Sequence, residues 1–301
     1  MTSPEVEPGV LSVGLSQSPL AKEHERLLKS LLRRGDNSPE RTPEDVLQGT
    51  YAPQAISMAR QSWLQRMAHE HHSSVSFSGT LPHLMAAQAP LDIKTIVLRC
   101  AMDELRHAGL CGQVVEFLGG RARIPSDLHV LNPPEHRDCS RRVAALRNVL
   151  FASLSETISV GLLTVERELV QEPFLKRVLK QLAGDEVLHA RLGWFYLAIT
   201  WPQLDTQERQ DLRAYIPVAL KHLYNEMRGA MHVGTTLDAQ MLAQTQALGM
   251  SYGPQGREIL EQTMQEVIVP QLDQFELGAA DAWGAIKRSE APQTAPCSVT
   301  S

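Results

Sequence analysis

The tightest constraint on this chain is a repeated tetrapeptide. Glu104-Leu105-Arg106-His107 and Glu186-Val187-Leu188-His189 both read Glu-x-x-His, and each follows an aspartate, Asp103 or Asp185. On a helix, positions i and i+3 share a face, so one helix can aim a carboxylate oxygen and an imidazole nitrogen at the same point. The tetrapeptide alone is common by chance. Its position relative to the helices around it carries the information.

Long helical signals run from about Gln54 to Met85, from Leu91 to Gly119-Gly120, from Asp138 to Val170, and from Pro173 to Thr200. Glycine just past a last turn, and proline at a first turn or after the end, mark these limits. Residues in a helix hairpin stand at equal height when they are equally far from the turn. Glu70 and Glu104 are centred on Ala87, beside Gln88-Ala89-Pro90; Glu156 and Glu186 are centred on Gln171, beside Pro173. Each Glu-x-x-His helix therefore follows a helix with a lone glutamate at the same level. At 1.5 Å per residue that level lies about 22–26 Å from the turn, deep in a bundle. A lone carboxylate there would be very costly. Residues 121–137, with Pro125, Pro133 and Pro134, read as a connection that could span up to ~55 Å when extended. Four-helix bundles with one long crossover use such a link.

The remaining chain reads as an all-α protein with extensions. Residues 1–53 form an N-terminal extension, loose over 1–20, with a short helix expected over Ala21–Arg34 and a Pro- and Gly-containing stretch before the bundle at 54–200. Residues 201–287 carry further helices, over 206–232 and 254–287, with breaks expected at Pro217 and Pro270; 288–301 form a tail.

Composition excludes several classes. Hydrophobic residues make up 43% of 301, enough for a core, and the net charge of −5 comes without a basic block, so nucleic acid is not an expected partner. Cys100, Cys111, Cys139 and Cys297 show no paired spacing, which fits neither a zinc ribbon nor a disulfide scaffold and suits a reducing, cytoplasmic setting. No signal peptide is read at the N-terminus, and no membrane span is expected.

The order Glu, Glu-x-x-His, Glu, Glu-x-x-His resembles the ferritin-like di-iron carboxylate superfamily, over about residues 54–200. The resemblance implies that Glu70, Glu104, His107, Glu156, Glu186 and His189 are metal ligands and catalytic residues, with Glu104 and Glu186 bridging two metals. The Asp-Glu-x-x-His form looks most like the bacterial hydrocarbon monooxygenases. There the aspartates hydrogen-bond the ligand imidazoles, the role implied for Asp103 and Asp185. Four carboxylates balance two divalent cations. Oxygen and nitrogen ligands without thiolate suit iron or manganese, as Fe/Fe, Mn/Fe or Mn/Mn.

Some branches of the superfamily fit poorly. Ferritin subunits are shorter, and the four-cysteine site of rubrerythrin-like proteins is missing. Cys111 stands where the ribonucleotide reductase small subunit has its radical tyrosine. Leu182 stands where arylamine N-oxygenases add a histidine. The leading expectation is an O2-dependent oxidase or oxygenase acting on a small organic substrate, with an external electron donor and a possible homodimer. The alternatives are an iron-handling or peroxide-scavenging protein without organic substrate, and a helical interaction protein with a vestigial site. His69, His71 and His72 are left out of the ligand set. Cys100, Cys111, Trp63 and Phe77 are expected to line the core near the metals. Glu166 and Glu168 are read as exposed, Arg106 and Arg191 as possible solvated neighbours, and His222 and His232 receive no role.

Overall fold

A computed structural model describes residues 10–12, 44–125, 132–230, 237–251 and 253–290. The expected helix over 21–34, Cys297 and His232 lie outside them. Among the described residues the chain is all-α apart from one short antiparallel pair. Strand β1 (Val10–Ser12) lies within the stretch expected to be loose. Helix α1 (Glu44–Thr50) precedes the long helices α2 (Pro53–Ala86) and α3 (Leu91–Phe117). Strand β2 (Arg123–Pro125) pairs with β1, Leu11 opposite Ile124. Helices α4 (Arg141–Leu169) and α5 (Pro173–Thr200) form the second hairpin. Then come α6 (Thr206–Ala230), α7 (Ala239–Ala247), α8 (Gly253–Thr263), a π-helical turn at Met264–Ile268, α9 (Val269–Asp273) and α10 (Ala279–Glu290). Helix α10 thus reaches three residues into the expected tail.

The long helices end for local reasons. At the close of α2, Gln88 has φ of +52°; its N–H donates to Met85 O and that of Ala89 to Leu84 O, the paired bonds of a Schellman stop. Gly119 closes α3 in the same way at φ +75°, where the absence of a Cβ removes the usual strain. Helix α4 begins three residues later than expected, because the Ser140 hydroxyl accepts the Val143 N–H and caps it. Pro217 does not break α6, which is continuous through it. Near Pro270 the helical rod also continues. The π turn makes Val269 N–H bond Met264 O, shifting the register just where a proline lacks its own donor.

Cross-helix contacts fix the directions. Arg66 meets Glu166 and Ser73 meets Glu156, so α2 and α4 run antiparallel. Asp103 meets His189 and His107 meets Asp185, so α3 and α5 do as well. With both hairpins antiparallel, α3 and α4 must point the same way. The chain between them therefore returns along the bundle, passing α2 where Gly79 leaves room for Pro133. The apolar interior divides in two. One cluster gathers Phe77, Val97, Cys100, Leu150, Leu154 and Tyr196. The other gathers Trp63, Met67, Cys111, Val114, Leu163 and Leu179. Along α2, α3 and α5 the buried charged residues and histidines fall between the two sets. Helix α4 alone is long and apolar enough, among the described residues, to cross a bilayer by length and composition; it packs against both α2 and α5 and carries Glu156 inward.

Candidate metal centre

The polar layer between the two apolar clusters contains all six residues implied as ligands. Glu104, His107 and His189 are fully buried, and Glu70, Glu156 and Glu186 nearly so. Glu70, Glu104, His107 and Glu186 each offer one ligand atom, and these four atoms lie within 4.8 Å of one another, a spread one metal ion could gather. His189 stands beside them across the same two glutamates.

The two bridging candidates sit symmetrically. Glu186 places Oε1 3.0 Å from His107 Nδ1 and Oε2 2.9 Å from His189 Nδ1. Glu104 places Oε2 3.8 Å from His107 Nδ1 and Oε1 2.7 Å from His189 Nδ1. Each carboxylate thus turns one oxygen to each imidazole. Glu70 approaches only His107, at 3.5 Å. Glu156 is outside the four-residue group; its Oε1 accepts from the Ser73 hydroxyl at 3.2 Å.

The outward ring nitrogens meet the aspartates, with the motifs exchanged. His107 Nε2 is 3.4 Å from Asp185 Oδ2, and His189 Nε2 is 3.6 Å from Asp103 Oδ2. Two arginines neutralise the aspartates. Arg99 donates to Asp103 at 2.7 Å and approaches Asp185 at 3.9 Å, while Arg106 bonds Asp185 and lies 3.7 Å from Asp103. Arg106 is buried rather than solvated: its helix face turns toward α5, where it meets Asp185.

Hydrogen bonding leaves the centre incomplete without a cation. Both Glu104 oxygens and His107 Nδ1 are buried without a hydrogen-bond partner, although neighbours lie close. Buried polar atoms are normally satisfied. Carboxylates and imidazoles that converge while Glu104 and His107 Nδ1 stay unsatisfied suit metal coordination, and the donor set fits a hard or borderline divalent ion.

Electrostatics agree. Burial pushes the Glu104 carboxyl up to about 7, with the Glu186 charge adding and both histidines opposing. Burial raises Glu156 well above the usual carboxylate range, helped by Glu186 and Glu104. For Glu186 burial acts upward too, but the charge and contacts of His189 and His107 outweigh it and hold the carboxyl low. Burial opposes charge on both imidazoles, yet the acids around them hold them protonated well above the ordinary value. Loading cations into such a cluster displaces protons.

The surroundings partly match expectation. Phe77 meets the His189 ring edge-on at 5.4 Å, and Cys100 is buried in the same apolar cluster as Phe77. Trp63 is buried one core away, donating to Leu248 O. Cys111 is buried in that core too, where burial and the Glu70 charge push its thiol well up. Glu168 is exposed as expected, but Glu166 is not. It is buried, bonds Arg66 twice at 2.7 and 2.6 Å, and accepts the Ser251 hydroxyl at 2.6 Å. The signal for it was Arg66, one turn before Glu70 on the same inward face.

Two openings reach the layer. A cleft of about 770 Å³ extends to Glu156 between α2, α4, α6 and the segment 132–136; His69, His72 and His222 line it. A smaller cavity of about 200 Å³ reaches Glu70 past Arg66 and Met250. His222, given no role from sequence, is thus a wall of the larger opening.

No family model, curated protein or solved structure matches the chain. The all-α fold and the buried glutamate–histidine cluster stand on the sequence and the geometry.

Proposed function

We propose that this chain is a ferritin-like di-metal protein of the oxidase or oxygenase branch, which uses O2 to oxidise a small organic substrate. The observation that carries the reading is the double facing of Glu104 and Glu186, one oxygen toward each histidine. Metal ions bound there would be held by Glu104 and Glu186 together with Glu70, His107, Glu156 and His189. Iron or manganese, bound reduced, would supply the electrons for O2 chemistry.

The chain's own residues have definable tasks. Asp185 and Asp103 fix the tautomer and ring direction of His107 and His189, leaving each Nδ1 free for the centre. Arg99 and Arg106 hold those aspartates in place. The two apolar clusters exclude water from above and below, which strengthens every charge interaction in the layer. The cleft at Glu156 supports substrate handling over iron storage, because it offers room for an organic molecule beside the centre. An external electron donor and a cytoplasmic setting complete the proposal.

The test is O2 consumption by protein loaded anaerobically with Fe(II), beside Glu104→Ala. Rapid O2 uptake that the variant loses supports the reading. Equal uptake by both proteins removes it.

A further inference from the structure

The 770 Å³ cleft falls within the range of small-molecule sites, roughly 300–1,000 Å³. Its floor is Glu156, and two aromatic pairs line its walls. Phe151 stacks with His222 at 5.6 Å and 30°, and Tyr215 meets His136 edge-on at 5.3 Å. Such surfaces favour a flat ring between them. His136 is held in place by Asn148, whose Oδ1 lies 3.0 Å from its Nε2. Burial and then the Arg147 charge push the His136 imidazole down, so it meets a ligand as an uncharged donor or acceptor.

The charge around the cleft has one sign. That sign is set by Glu226, beside His222 at 3.6 Å at the exposed mouth, while Glu156, whose carboxyl burial pushes up, closes the floor. No lysine or arginine lines the cleft among the described residues. Arg147 is turned away, its guanidinium bonded to Asp138 and to Asp211 O behind the Tyr215 ring. With four glutamates balanced by two divalent ions, the floor gains no positive excess. An anionic ligand would leave water without a partner, which is expensive. A cationic one would gain Glu226 and the aromatic faces.

We propose that this cleft is the substrate chamber and that it takes uncharged or cationic ring compounds, of the phenol or arylalkylamine class, and rejects carboxylates. The inference deepens the oxygenase reading and rests on it for the part Glu156 plays; ligand binding itself needs no metal.

Calorimetry on the full chain, metal-stripped and metal-loaded, tests this with 4-methylphenol, benzylamine and benzoate. Expected is binding of the first two, with benzoate weaker by at least about tenfold. Val218, 65% exposed on the cleft wall, can be changed without touching the core. Val218→Arg should reverse the order of benzylamine and benzoate while metal content and thermal stability hold. Phe151→Ala should weaken both ring ligands. Benzoate binding as tightly as benzylamine to the unaltered protein overturns the inference. So does binding that ignores Val218→Arg, and so does failure of all ring probes. Probe binding by a protein that takes up no metal would sink the oxygenase reading alone; metal-loaded protein preferring benzoate would sink this one alone.

Discussion

Asp185 belongs to one Asp-Glu-x-x-His and serves the other: its Oδ2 lies 3.4 Å from His107 Nε2, across the helix interface. Asp103 repeats the relation with His189 at 3.6 Å. An aspartate four residues before a histidine on the same helix would seem its natural partner. The antiparallel pairing of α3 and α5 makes the exchange possible, and it ties the two halves of the centre together.

Asp185→Asn should therefore weaken metal binding without unfolding the protein. Loss of a partner that orients a ligand histidine typically costs about 10–100-fold in metal affinity. Asp103→Asn should show a smaller loss, because Asp103 stands farther from its imidazole, at 3.6 Å. Chelator competition measures both. Unchanged affinity in the two variants would remove the orienting role.

Gly193 lies one turn beyond His189, where α4 and α5 touch. A Cβ there would stand 2.6 Å from Ser153 Cβ and 3.1 Å from the Leu150 Cα. The Ser153 hydroxyl accepts the Gly193 N–H at 2.7 Å and donates to His189 O at 2.9 Å. Gly193→Ala should push the helices apart and cost about 1–3 kcal/mol, the usual range for overpacking. Denaturant unfolding reads this directly. A neutral substitution would mean the interface yields more easily than its contacts imply.

Glu166 offers a third test. Its side chain is 4% exposed and that of Arg66 17%. Burial works against the Arg66 charge, and the Glu166 carboxylate more than restores it. Glu166→Gln leaves that guanidinium without its acid. Removing one member of a buried pair costs up to 3–5 kcal/mol; the partial exposure of Arg66 lowers the expectation to about 2–3 kcal/mol. A Tm equal to that of the unaltered protein would contradict the pairing.

The site was more legible than its supports. The six glutamates and histidines announced themselves because hairpin geometry converts sequence distance into height. The stops at Gln88 and Gly119 followed from turn chemistry. Glu166 was misread because its burial depends on which neighbour its helix face meets. Pro217 looked like a break, yet α6 passes through it; propensity alone does not decide where packing holds a helix. The cleft was invisible, because His136, Phe151 and His222 meet only once α4, α6 and the crossover are assembled.

Stability of metal-stripped protein should fall as pH rises through neutrality. His107 and His189 are held protonated above the ordinary value by the acids around them, Asp185 and Glu186 foremost, against the effect of burial. Their contribution is complete below about 6.5, the unfolded value, and is lost as pH climbs through the folded ones. Glu104, pushed by burial to about 7, has the same sign: unfolded, it releases its proton earlier. Bound Fe(II) or Mn(II) should reduce or invert the slope, since the ligands then work deprotonated. Melting curves at about pH 6 and pH 8.5, with and without metal, decide it. A stripped protein that melts higher at the alkaline pH would refute the assignment.

Metal content tests the central claim most directly. Protein purified without added metal, and protein loaded anaerobically with Fe(II), would be compared by mass spectrometry with Glu104→Ala/Glu186→Ala, after circular dichroism confirms that the variant is folded. The account expects close to two Fe or Mn per chain, lost in the double variant. No bound metal even after loading, or equal content in the variant, would contradict it.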